Sequence, residues 1–92
     1  MTDVANAETF TPHIGKELAL RGGPTLTLMA VERHKSPTPS GAFTLLLRGA
    51  PAPIAPEGIH RVTLEGGVGF DLYLIPIHTP SRDHQDYQIV FN

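Results

Sequence analysis

The sequence predicts an all-β fold, a small antiparallel β-sandwich or barrel of about six strands with a short N-terminal helical turn, and three observations carry that expectation. Nine glycines and nine prolines cut the 92 residues into runs of strand length. Within those runs apolar residues recur at every second position, the period of a strand, and no helical period outlasts a turn or two. A hydrophobic fraction of 40% against a charged fraction of 17% belongs to a chain that buries a core.

Taken in order, residues 1–9 read as a flexible N-terminus and residues 10–92 as a single all-β domain. Met1 to Ala7 is small and polar and offers little to hold it down. In "ETFTPHIG", Thr9 or Thr11 can cap a helical turn and Pro12 suits its first position. One turn of helix would place Phe10 and Ile14 on the same side, as a plug for one end of the core. Lys16 to Arg21 is the first strand, with Leu18 and Leu20 on one face, and "GGP" turns the chain into Thr25 to Arg33, with Leu26, Leu28 and Ala30 inward. After the polar loop "HKSPTPSG" comes Ala42 to Gly49, expected at the centre of the sheet, with Phe43, Leu45 and Leu47 opposed to Thr44, Leu46 and Arg48.

Pro51, Pro53 and Pro56 in "APAPIAPE" cannot donate to a ladder, so this stretch is expected to cross the fold as a stiff, extended connection. Gly58 to Glu65 is a fourth strand with His60, Val62 and Leu64 on one face and Ile59, Arg61, Thr63 and Glu65 on the other. "GGVG" reverses the chain into Val68 to Ile77, and "HTPSRDHQ" leads to the final strand, where Tyr87, Ile89 and Phe91 share a face.

The fifth strand, "VGFDLYLIPI", is apolar on both sides. Phe70, Leu72 and Leu74 make the expected core face, yet Tyr73, Ile75 and Ile77 fill the other, interrupted only by Asp71. A strand covered on one side alternates apolar with polar, so the second face needs a cover of its own. Pro76 confines the end of this strand to an edge, an end or a bulge. Together with Met29, Val31 and Leu46 on other strands, Tyr73, Ile75 and Ile77 form the set of candidate interface residues. Asp71 reads as the mark of a solvent edge, or as a charge that discourages strand-to-strand aggregation, in preference to a catalytic group.

Composition removes several classes of function. The net charge is −2 and the basic residues Lys16, Arg21, Arg33, Lys35, Arg48, Arg61 and Arg82 are scattered, so no basic patch invites nucleic acid. With no cysteine there is no disulfide, thiolate nucleophile or cysteine-ligated metal. The N-terminus lacks the basic start and apolar centre of a signal peptide, and no apolar run approaches the roughly 18 residues of a membrane helix. The chain is therefore expected to be cytoplasmic as synthesised, without membrane insertion, with export inside a larger assembly left open.

Motifs for chemistry are sparse. "EGGVG" leads into a strand and lacks the Lys-Ser/Thr of a phosphate loop, which makes it a hairpin turn. His78, Asp83, His84 and Asp86 are the one local group of metal-capable side chains, but their spacing across a proline-containing loop does not force them to converge, and a solvated loop is expected. Ser36, Ser40 and Ser81 sit outside any nucleophile elbow, and Ser81, Asp83 and His84 are too nearly contiguous to assemble a triad. His60 is expected to be satisfied by a backbone carbonyl, and His13 and His34 have no local partner. The expectation is no enzyme, no cofactor and no metal.

"FTPHIGKELAL", "AFTLLLRG", "PEGIHRVTLEGGVGFDLYLIPI" and "YQIVFN" together resemble a family of short bacterial all-β proteins of unknown function. Its blocks read Phe-x-Pro-x-x-Gly, Phe-x-Leu-Leu-Phe-Arg-Gly, Pro-x-Gly-x-Tyr, Phe-Leu-x-Pro-Val and Tyr-x-Ala-Phe-Asn, and the resemblance runs from about Phe10 to Asn92. The chain departs at His60, where an aromatic is usual, and at Leu47, where Phe is common. The resemblance supplies no catalytic motif. It implies genes beside phage-tail-collar-like proteins, and so a component of a tail-like assembly.

These readings converge on a non-enzymatic structural or interaction protein that self-associates, or serves as subunit or accessory of a tail-like, filamentous or surface bacterial assembly, its surplus apolar residues meeting between subunits. The alternative is a small ligand-binding or catalytic barrel with a pocket around His60, Asp71 and Tyr73. A plainer arrangement has loops and the N-terminal turn cover the second face within one chain.

Overall fold

A computed structural model of the chain describes residues 6–35 and 42–91. Most of the proposed flexible tail, the loop serines Ser36 and Ser40, and Asn92 lie outside the described residues. Six strands, β1 (Glu17–Leu20), β2 (Thr25–His34), β3 (Ala42–Gly49), β4 (Gly58–Thr63), β5 (Gly69–Pro76) and β6 (Gln85–Phe91), close into an antiparallel barrel in the order β1-β2-β3-β6-β5-β4. Between the two architectures the sequence allowed, closure is the one that abolishes a free edge. It also leaves no central strand: β3, expected at the centre, is one stave among six, paired to β2 and β6 over most of its length.

Alternation along the strands fills the interior. Leu18, Leu20, Leu26, Leu28, Phe43, Leu45, Leu47, Val62, Leu72, Leu74, Tyr87 and Ile89 are all buried in one core. The alternation holds until Leu28 and then changes phase. Leu28 faces Leu47 and Ala30 faces Leu46, so Met29 is an extra residue in β2. A bulge of this kind bends its strand and shifts the parity of everything after it. Val31 therefore packs against the core, and Ala30, expected inward, sits outward beside Leu46.

Each end of the barrel has its own closure. At one end a short helix α1 (Ala7–Phe10) is capped by Asn6, whose side-chain oxygen accepts from the Thr9 amide at 2.9 Å while the Thr9 hydroxyl accepts from the Asn6 amide at 3.2 Å. The cap is thus Asn6 rather than Thr9 or Thr11, and α1 begins within the segment expected to be flexible. Phe10 drops fully buried into the barrel mouth, with its ring centroid 6.1, 5.7 and 5.6 Å from those of Phe43, Phe70 and Phe91. All four phenylalanines of the chain meet there. Ile14 does not join the plug: a 3-10 turn at Thr11–His13 breaks the helical spacing, and Ile14 is exposed.

At the opposite end the connection from β3 to β4 crosses the mouth between strands that are diametrically placed in the barrel order. The crossing is as expected, but its path bends at residues 51–53 instead of running extended. Ala55 is buried toward its β4 end, and its amide donates to the Tyr87 hydroxyl at 3.0 Å. That bond satisfies two polar groups that would otherwise be stranded away from water.

Candidate functional site

With the interior filled, the surplus apolar residues have only the outside of the barrel to occupy. Barrel register sets out a row across four strands, Ala30, Leu46, Gln88 and Ile75, each paired with the next. Along β5 the row continues to Tyr73, which pairs with Ile59 of β4. Ile59 is 73% exposed and Tyr73 49% exposed. On the other flank Met29, Leu46 and Ile77 line a shallow hollow of about 100 Å³ together with Leu47, Arg48 and Asp86. Of the candidate interface residues, five face outward and share this side of the barrel; Val31, turned inward by the bulge, does not.

Polar contacts border the patch. Arg48 and Asp86, paired across β3 and β6, form a two-point ion pair with Nε to Oδ1 at 2.8 Å and Nη2 to Oδ2 at 3.3 Å. The Arg48 hydrogen bond holds the Asp86 carboxyl below the usual carboxylate range. At the other border the Tyr73 hydroxyl donates to Glu57 at 2.7 Å, which raises the pKa of the phenol. Asp71 pairs with Arg61 at 3.4 Å on the exposed face.

His60, Asp71 and Tyr73 do not come together. Alternation sends Asp71 and Tyr73 to the outside, whereas His60, at the mouth end of β4, donates from Nε2 to the Pro56 carbonyl at 2.7 Å. His60 instead helps line a groove of about 570 Å³ between the β1–β2 turn (Arg21, Gly22, Gly23 and Pro24) and the crossing connection (Pro53 to Pro56). Among the metal-capable residues near β6, Asp86 is committed to Arg48, and His84 approaches it at 3.5 Å. No three His, Asp or Glu side chains converge among the described residues. Asp83 takes part in a local turn, its amide donating to the Ser81 hydroxyl at 3.0 Å.

Two features escaped sequence reading. Ile59 looked like one apolar residue on a polar strand face, and only the hairpin register that sets it opposite Tyr73 makes it part of a patch. The groove is built from two loops distant in sequence, which no local pattern joins. No helix among the described residues is long and apolar enough to cross a membrane.

A family model described as a Domain of unknown function (DUF6916) matches residues 5–91. Comparison with curated proteins gave no match, and comparison with solved structures gave none.

Proposed function

We propose that this chain, which belongs to the DUF6916 family, is a non-enzymatic interaction protein that associates through the outer face of its barrel. The observation that supports this best is the pairing of a filled interior with a contiguous exterior apolar patch, Met29, Leu46, Tyr73, Ile75 and Ile77, extended by Ile59. Contiguous exterior patches rimmed by polar groups are the usual mark of a protein-binding surface. Here the rim is Arg48 with Asp86 on one side and Tyr73 with Glu57 on the other. The first partner in this reading is a second copy of the chain, and the wider setting is a bacterial tail-like or surface assembly into which the chain is carried after cytoplasmic synthesis. The setting rests on the sequence resemblance alone.

Light scattering from the purified chain at micromolar concentration tests the association. The expected result is a mass above the 9.9 kDa of one chain, returning to that mass when Ile59→Lys and Tyr73→Glu are combined with the circular dichroism unchanged. A parent protein that remains a monomer on concentration would overturn self-association.

A further inference from the structure

The groove at the proline-crossed mouth shares no lining residue with the outer patch. Pro24, Pro53, Ile54, Ala55 and Pro56 make its walls apolar, and its volume of about 570 Å³ falls within the range of small-molecule sites. The walls are preformed. Three prolines restrict the backbone, Ala55 is pinned to Tyr87, and the His60 ring is held by the Pro56 carbonyl. A ligand entering would therefore order little that is not already ordered.

Charge selects the class of ligand. The two ionisable side chains of the lining, Arg21 and His60, are both basic, although the chain as a whole carries −2. Among the described residues Lys16, Arg33, Arg48 and Arg61 each pair with a carboxylate, whereas Arg21, Lys35 and Arg82 pair with none, and of these three Arg21 alone lines the groove. The nearest acid along the crossing, Glu57, is engaged by the Tyr73 hydroxyl. A guanidinium without a carboxylate at the lip of an apolar groove is a ready partner for one. We propose that this groove binds a small organic acid with a flat apolar body, the carboxylate held by Arg21 and the body lying between Pro24, Pro53 and Ile54.

Titration of the full chain with naphthoate, followed by amide NMR, tests the assignment, with naphthylmethanol as the neutral counterpart. Saturable shifts are expected at the Gly22, Gly23 and Ala55 amides. Arg21→Gln should weaken naphthoate about tenfold, as loss of one charge-assisted contact does, and leave naphthylmethanol unchanged. Ile54→Glu, which sets a carboxylate in the groove, should abolish naphthoate binding without lowering the melting temperature. No shift at those amides with millimolar naphthoate would overturn the proposal, as would equal naphthoate affinity in parent and Arg21→Gln. Tighter binding at the same amides by a peptide with an apolar C-terminal residue would also overturn it, by making the occupant a polypeptide.

Discussion

Replacing Tyr87 with Phe removes one oxygen atom from the barrel and leaves the ring in place. Tyr87 is fully buried, Ala55 is 3% exposed, and the bond between the Ala55 amide and the Tyr87 hydroxyl spans 3.0 Å. With Ala55 buried and its acceptor gone, the Ala55 amide loses its hydrogen-bond partner. A buried donor without an acceptor costs about 1–3 kcal/mol. In a domain of this length each kcal/mol moves the melting temperature by roughly 4–8 °C, so the variant should melt on the order of 10 °C below the parent. Calorimetry reads the shift, and hydrogen exchange locates it, since the Ala55 amide should exchange faster. A Tyr87→Phe protein melting within about 2 °C of the parent would refute the reasoning, because the crossing connection would then not depend on this bond.

Three further outcomes follow from the same structure. Phe10→Ala empties the centre of the phenylalanine cluster and should cost about 3–5 kcal/mol in urea denaturation, enough to leave a domain of this size marginal; a loss below about 1 kcal/mol would mean that α1 does not plug the barrel. Deleting Met29 removes the extra residue of the bulge without changing which side chains of β2 face inward, so the variant should still unfold cooperatively; a non-cooperative melt would show that the bend itself is needed for closure. The folded-state pKa of Asp86 is depressed, so its contribution to stability is complete above the unfolded value of about 3.9 and is lost as pH falls through the folded value. Asp86→Asn should therefore flatten the acid limb of a plot of melting temperature against pH, and an unchanged limb would remove the Arg48 pair from the account.

Most strands were legible because alternation and turn residues are local signals. Ala42–Gly49 matches the strand its sequence predicts to the residue, and the other strands differ only at their ends. That the proline-rich connection crosses the fold was legible too, but its bends at residues 51–53 were not. Failures arose where one residue changes the phase or where distant segments meet. Nothing in "TLTLMAVER" distinguishes Met29 as a bulge, because the choice depends on what β3 presents across the ladder, and alternation alone sets Val31 outward. Ile14 was misplaced because a 3-10 turn, not a continued helix, follows Phe10. For the functional surfaces, parity found Tyr73, Ile75 and Ile77, but pairing was required to add Ile59 and loop packing to build the groove.

The proline crossing also bears on how many chains it takes to make a barrel. It divides the molecule into two three-stranded meanders, β1 to β3 and β4 to β6, which meet only where β1 pairs β4 and β3 pairs β6. A chain whose connection extended away from the mouth would hand its second meander to a neighbour, and both seams would re-form between chains with no new contact, the route by which proteins exchange identical elements. Ala55, three residues before β4, is tied to Tyr87 of β6, so the end of the crossing travels with the second meander and only the residues before it are left to act as a hinge. The hydroxyl that stabilises the barrel thus also fixes where such an exchange would have to hinge, in the stretch between Gly49 and Ala55.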